Sequence, residues 1–345
     1  MAKFLKKDTD TFIIAEVGQN HQGEISNAIK YIKIFSQMGA DAVKFQMRNN
    51  KILFSLDAYN AKYNSEKAFA ETYGKHREKL ELSLSEFKLV KKECKKNHVK
   101  FMATPFDESS LEKLCKAGVD IIKIASFDLG NLSLIKKICL KKKPVIISIG
   151  GGNDLQINST IKLLKKFKIP VGILHCNSEY PTHFSKLGLE NIKKLKKKYS
   201  EFTIGSSDHF NGILSGPVAY LMGARIFEKH VTLDRSWKGT DHAFALEPEG
   251  FRKFTRDIKR VPLMLPLKDK KKIGREPVFK KLGKSIIAKQ RIKKNQKIKI
   301  EDLTGRIFQK NFIPIRETYK IIGKKLNKDI KPMEPIKFND IKKKN

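Results

Sequence analysis

Two lysines stand where lysine is costly. Lys44 lies inside the apolar run Ala42-Val43-Lys44-Phe45, and Lys123 inside Ile121-Ile122-Lys123-Ile124. An ammonium buried without a partner carries a large desolvation penalty. Each therefore needs either a bound anion or an internal salt bridge. The pattern predicts the anion, with both ammonium groups unpaired until it binds. Hydroxyls recur at the ends of other apolar runs: Thr104, Ser126, Ser148 and Ser207. Cations ringed by hydroxyls suit a ligand that carries a phosphate and a carboxylate together. His209 and His230 also close apolar runs. They can converge on one divalent ion such as Mn²⁺ or Zn²⁺, or pack as a hydrogen-bonded pair. Glu16 can act as a base or as an orienting group. Gly150-Gly151-Gly152 lets backbone approach an anion, or is only a turn. His76, His98 and His183 have no such setting and read as surface residues. Trp237 reads as a lid or as packing.

These residues need strands to carry them. Runs of about six apolar, β-branched residues predict strands buried on both faces at 12–17, 42–47, 101–106, 121–126, 144–149, 171–176, 203–208 and 225–230. Amphipathic patterns between them predict helices at 26–38, 83–97, 108–117, 132–140, 154–167, 187–199, 213–222 and 248–260. Ser83 and Glu86 form a capping-box signature. Eight strand–helix units predict a (β/α)₈ barrel, whose chemistry sits at the C-terminal ends of the strands. An open doubly wound sheet is the rival. Its first turn should carry G-x-G-x-x-G, and the turn here is Gly18-Gln19-Asn20-His21-Gln22-Gly23. The barrel is expected over 1–261, a Pro- and Lys-rich linker over 262–280, and a small, mainly β domain over 281–345. In that domain short strands and turns are expected at 284–289, 298–300, 303–308, 313–314 and 330–335.

The composition narrows the field. The formal charge is +36, yet only 11 of the 72 basic residues are Arg. A reader of bases or phosphates favours Arg, and no helix-turn-helix, zinc-finger or RNP aromatic pattern is visible. Nucleic acid is not the expected partner, and the lysine runs read as solvated helix faces. Four separated cysteines without a CxxC pair argue against a zinc ribbon or a disulfide scaffold. No signal-peptide core and no 18-residue apolar run is present. A cytoplasmic chain with no membrane span is expected.

With these residues placed, the sequence resembles the sialic acid synthase family. The resemblance is carried in order by IIAEVGQNHQG (13–23), GADAVKFQ (39–46), ATPFD (103–107), IKIAS (122–126), PVIIS (144–148), LHCNSEYP (174–181), IGSSDH (204–209), GARIFEKHVTLDRSWKGTDHAFALEP (223–248) and KLGKSIIAKQRIKKNQKI (281–298). It implies a TIM barrel followed by a SAF (antifreeze-like) domain, and a domain-swapped homodimer. It implies condensation of phosphoenolpyruvate with an N-acetylhexosamine, N-acetylmannosamine or its 6-phosphate. The product would be N-acetylneuraminate or its 9-phosphate. Acceptors leading to legionaminic or pseudaminic acid are the alternative. By motif, Lys44, Thr104, Lys123, Ser126, Ser148 and Ser207 match phosphoenolpyruvate contacts, and His209 and His230 match ligands of Mn²⁺, with Mg²⁺ or Co²⁺ as alternatives. Glu16, Gln46, Tyr180, Glu228 and Asp241 match residues around the sugar and the reacting centre. Ser178 stands where some bacterial members have Asn. Arg306 matches an Arg that reaches the partner's sugar site, although Ile307 replaces the Pro that usually follows it.

Overall fold

The computed structural model describes residues 4, 5, 10–267, 269, 273–310 and 312–342. The lysine run at 270–272 lies outside the described residues. The chain divides into two compact units, 1–265 and 266–345.

In the first unit eight parallel strands close into a barrel. They are β1 (Phe12–Gly18), β2 (Ala42–Met47), β3 (Lys100–Pro105), β4 (Ile121–Ile124), β5 (Val145–Ser148), β6 (Val171–Cys176), β7 (Thr203–Asp208) and β8 (Ile226–His230). β1 pairs with both β2 and β8, so no edge is left open. The covering helices are α1 (Ile25–Gln37), α5 (Leu84–Lys96), α6 (Glu108–Ala117), α7 (Leu132–Leu140), α8 (Asp154–Lys165), α9 (Glu190–Lys198), α10 (Ser215–Met222) and α11 (Pro248–Met264). Three short helices, α2 (Asn50–Leu53), α3 (Leu56–Asn60) and α4 (Tyr73–Glu78), lie between β2 and α5. Among the described residues no helix is long and apolar enough to cross a membrane.

Strand alternation sorts the side chains into two cores. Ile13, Ala15 and Val17 of β1 and Val43, Phe45 and Met47 of β2 pack in one cluster with helix residues such as Tyr31, Phe35 and Phe87. Ile14, Ala42, Met102, Ile121, Ile146, Leu174 and Ile226 form a separate cluster, one residue from each of seven strands. This second cluster plugs the interior. Since side chains alternate with period two, the residue two places beyond each plug position points the same way. Those residues are Glu16, Lys44, Thr104, Lys123, Ser148, Cys176 and Glu228, and all are buried. The barrel thus sets a polar layer directly above an apolar floor.

Local signals fix the ends. Ser83 Oγ accepts from the Glu86 amide, and Glu86 Oε2 accepts from the Ser83 amide at 2.7 Å, so the capping box forms. A cap of this kind stabilises by about 1 kcal/mol. Asp107 caps α6 through the Ser110 amide at 2.8 Å and also accepts from the Asn49 amide at 2.7 Å. It therefore ties the end of β2 to the start of α6. The helix expected to end at 260 continues through Pro262 to Met264. Proline removes the bond to its own nitrogen and its ring crowds the carbonyl one turn earlier, but Pro262 stands in the last turn, where little helix follows.

The second unit is built differently from expectation. Among its described residues only β9 (Lys284–Ala288) and β10 (Leu303–Ile307) form a ladder, antiparallel, after the short helix α12 (Pro277–Leu282). The segments at 298–300, 313–314 and 330–335, expected as short strands and turns, make single bridges or a 3₁₀ turn. Ile298, Ile313 and Ile330 of these segments are buried, with Ile336 just beyond them, in one small core. The β-branched residues mark burial here, and turns hold them in place.

Candidate active site

The polar layer opens into a cavity of about 460 Å³. At its floor Lys44 Nζ lies 2.9 Å from Glu16 Oε2 and 3.3 Å from Glu228 Oε1. Lys123 Nζ donates to Ser148 Oγ at 2.7 Å and to the Ile124 carbonyl at 3.2 Å, and stands 3.9 Å from Glu228. This corrects the expectation of two unpaired ammonium groups. The partners come from other strands: Glu16 pairs in register with Lys44, and Glu228 ends two residues before His230 on β8.

The four charges do not titrate alike. Burial pushes the Glu16 carboxyl up to about 7, against the pull of Lys44. Burial also works against ionised Glu228, but Lys123 and Lys44 outweigh it and hold that carboxyl down to about 2. Burial opposes the Lys44 ammonium too, yet the two carboxylates raise its affinity for the proton. Burial lowers that of Lys123. Ser207 Oγ donates to Glu228 Oε1 at 3.2 Å, and Gln46 Nε2 donates to Glu16 Oε1 at 2.7 Å.

His209 and His230 meet at the rim of this floor, with ring centroids 5.3 Å apart. His209 Nδ1 lies 2.6 Å from the Asn177 carbonyl. A carbonyl only accepts, so Nδ1 carries the proton and Nε2 keeps a lone pair. His230 Nδ1 is buried without a hydrogen-bond partner, 3.7 Å from Asp241 Oδ2. Burial keeps His230 neutral by lowering its pKa. The Tyr180 ring lies 4.0 Å from that of His209, tilted by 35°. A Cβ on Gly18, whose φ is +56°, would stand 3.3 Å from Glu16 Oε1 and 3.8 Å from Asp241 Oδ2. Glycine there leaves the two carboxylates open to the same space.

Residues 31–270 match the NeuB family. An N-acetylneuraminate-9-phosphate synthase of Drosophila melanogaster is 33% identical, covering 96% of this chain and 95% of that protein. An N,N'-diacetyllegionaminic acid synthase of Campylobacter jejuni is 34% identical, covering 95% and 99%. A crystal structure of the N-acetylneuraminic acid (sialic acid) synthetase of Leptospira borgpetersenii with citrate superposes with a TM-score of 0.70 at 31% identity, covering 82% of this chain and 96% of that one.

The chain belongs to the NeuB family.

It is thus an enzyme of the sialic acid synthase kind, a transferase that forms a carbon–carbon bond. Within this NeuB-family barrel most of the residues singled out from sequence converge. Thr104, Ser126, Ser148, Ser207, Gln46, Tyr180 and Asp241 line the cavity together with the lysines, glutamates and histidines. Ser178 does not line it; the residue is exposed, with its Oγ near Gly150, as is that of Ser126. Arg306 lies exposed on β10 of the second unit. His98 and His183 are exposed as expected, but His76 is buried and lines the cavity. The reading of His76 as a surface residue fails because α4 packs it among Tyr63, Phe69 and Tyr73. Trp237 packs against the barrel core, with its ring 5.9 Å from His242. Arg48, Glu81 and Arg77 were not singled out, although Arg48 continues the alternation Lys44, Gln46, Arg48 and so could have been.

The shared lysine gives a prediction. Lys44→Met leaves Glu16 and Glu228 facing each other, and losing one partner of a buried pair costs about 3–5 kcal/mol. The folded-state pKa of Glu16, about 7, lies above the ordinary 4.5. Its proton therefore stabilises the fold fully below 4.5, and that contribution is lost as pH rises through 7. Urea denaturation should show Lys44→Met strongly destabilised at pH 8 and markedly less so at pH 5. An equal deficit at both values would contradict the pairing.

Proposed function

We propose that the cavity condenses phosphoenolpyruvate with the open-chain aldehyde of an N-acetylhexosamine, N-acetylmannosamine or its 6-phosphate. The products are N-acetylneuraminate or its 9-phosphate, and phosphate. The observation that carries this reading is the pair of buried lysines, ringed by Thr104, Ser126, Ser148 and Ser207, at the closed end of the cavity. A trianion that meets Lys44 and Lys123 replaces carboxylate contacts with stronger ones, and the hydroxyls donate to its remaining oxygens.

The bond changes assign the residues. Carbon 3 of phosphoenolpyruvate bonds to the aldehyde carbon, and the aldehyde oxygen gains a proton. Water then adds at carbon 2 and gives up a proton, and the tetrahedral adduct breaks its carbon 2–oxygen bond to phosphate, which leaves with the remaining hydroxyl proton, so that a ketone is left. One proton is taken and one returned. Glu16, with its carboxyl at about 7, can do both near neutral pH, whereas Glu228, at about 2, stays ionised. Glu228 instead opposes charge developing at carbon 2 and keeps Lys123 and Lys44 in place. Gln46 orients Glu16, while Asp241 and Tyr180 bound the sugar side.

The chemistry of the donor set fits a divalent metal: two imidazoles 5.3 Å apart, His209 oriented through Nδ1 by a backbone carbonyl, and His230 with its Nδ1 orphaned. Bound by these two imidazoles, Mn²⁺, with Mg²⁺ or Co²⁺ as alternatives, would polarise the aldehyde oxygen. Water and substrate would supply the other positions, since among the described residues no set of three His, Cys, Asp or Glu is arranged for a metal. The second unit is read as a SAF-type domain of a homodimer acting in the cytoplasm, with Arg306 completing the sugar site of the partner's barrel. The Campylobacter relative favours a second reading, an acceptor leading to legionaminic acid.

Two tests follow. Phosphate release from phosphoenolpyruvate should occur with N-acetylmannosamine or its 6-phosphate, stop with EDTA and return with Mn²⁺. Lys123→Met should lower kcat/KM about 100–1,000-fold, and calorimetry should find Mn²⁺ binding lost in His209→Ala/His230→Ala. Turnover only with a 2,4-diacetamido hexose would favour the second reading. For the dimer, inactive Lys123→Met subunits are mixed with inactive Arg306→Ala subunits. Action across the interface restores one working site per mixed dimer; activity no higher than either parent's contradicts it.

A further inference from the structure

Arg48, Arg77 and Lys238 line the outer wall of the cavity. The two arginines hold glutamines in the same way. Arg77 Nη1 donates to Gln19 Oε1 at 2.6 Å, and Gln19 Nε2 donates to Glu81 Oε1 at 2.7 Å. Arg48 Nη2 donates to Gln46 Oε1 at 2.6 Å, and Gln46 Nε2 donates to Glu16 Oε1 at 2.7 Å. Each row runs arginine, glutamine, glutamate. The rows meet at Glu81, whose Oε2 accepts from the Arg48 backbone amide at 2.9 Å and whose Oε1 stands 3.8 Å from Arg48 Nη1. The Arg48 guanidinium also lies over the Phe106 ring, 3.9 Å from its centroid. A carboxylate, an aromatic face and an amide thus set its place.

The chemistry of the two ends gives each row a direction. A guanidinium has donors and no acceptor, and an ionised carboxylate has acceptors and no donor. A glutamine amide has one end of each kind, so the neighbours decide which way it faces. Once Glu16 carries a proton, its carboxyl can donate as well as accept. Gln46 could then turn its carbonyl toward Glu16. Arg48 forbids that turn, because the Gln46 NH₂ would face a guanidinium, donor against donor. The NH₂ therefore occupies Glu16 Oε1 whether or not the carboxyl is ionised. That leaves Oε2, which is buried and makes no hydrogen bond among the described residues.

We propose that Arg48 is a positioning residue for the condensation: acting through Gln46, it keeps the exchangeable proton of Glu16 on Oε2. The inference rests on the synthase reading above, and it adds the residue that decides which carboxyl oxygen works. The proton given to the aldehyde oxygen leaves Oε2. The proton released by the water that adds at carbon 2 returns to Oε2, so Glu16 ends each turnover as it began. Arg48 itself touches neither substrate.

The test is a cycle of variants of the full chain, read by phosphate release from phosphoenolpyruvate. Arg48→Met should lower kcat about tenfold or more, part of the roughly 100–10,000-fold that a general acid–base group supplies, and leave KM for both substrates nearly unchanged. Arg48→Gln, which can accept as well as donate, should show the same loss. Arg48→Lys, a donor without an acceptor, should retain most of kcat. Gln46→Met should also be slow, and adding Arg48→Met to it should slow it no further. A double variant slowed by the product of the two single effects, or a raised KM for the sugar in Arg48→Met, overturns the proposal. A measurement without turnover separates this inference from the synthase reading. With ¹⁵N-labelled glutamine, NMR should find the Gln46 side-chain amide, assigned by its absence in Gln46→Met, protected from exchange with water. Arg48→Met should remove that protection, and unchanged protection overturns the proposal. If no N-acylhexosamine releases phosphate with the wild-type protein, the synthase reading fails. The orientation of Gln46 by Arg48 then stands on the loss of protection and falls without it.

Discussion

Lys44 holds Glu16 at 2.9 Å and Glu228 at 3.3 Å in a space almost closed to water. None of these groups can be ionised cheaply alone, because taking a charge out of water costs several kcal/mol even after relaxation. Lys123 adds a second cation to the same Glu228. The cluster is thus balanced when empty, two positive groups against two negative, with one carboxyl near its titration point. An arriving anion perturbs a set of charges that has little slack. Burial makes those charges strong, and it also makes their pairing compulsory.

The barrel exists in a form that permits this. Each polar residue of the layer sits two places after an apolar plug on its own strand, and the parallel register sets Glu16 beside Lys44 and His230. The apolar floor stabilises the barrel and closes it beneath the charges. The strand ends carry the groups that must be exchangeable. His209 is fixed by a backbone carbonyl, and Gln46 links the inner glutamate to Arg48 of the outer wall. One alternation along β2, Lys44, Gln46, Arg48, therefore reaches from the floor to the outer cations.

The strands and the charged layer were legible in the sequence because a lysine in an apolar run has few explanations. Its partner was not legible. Glu228 lies on the last strand and reaches Lys44 only when the barrel closes, so one apolar run cannot reveal whether a ligand or a carboxylate completes the other. The segment between β2 and α5 was equally opaque. Its helices are short, its apolar residues follow no single period, and His76 is buried by neighbours on the same segment. In the second unit isoleucine spacing told of burial but not of strands, because turns and isolated bridges, rather than ladders, hold that core. Proline at 262 suggested a break that a final helical turn absorbs.

The balanced cluster is tested most directly by counting protons when phosphoenolpyruvate binds in the absence of acceptor. At pH 8 the free ligand is fully ionised, and Glu16, with its pKa at about 7, is mostly ionised as well. A trianion placed among Lys44 and Lys123 competes for their charge and raises the proton affinity of Glu16. Calorimetric titrations in buffers of different ionisation enthalpy should show uptake of a fraction of one proton, and Glu16→Gln should abolish it. Binding without proton exchange, or the same uptake in Glu16→Gln, would contradict the account.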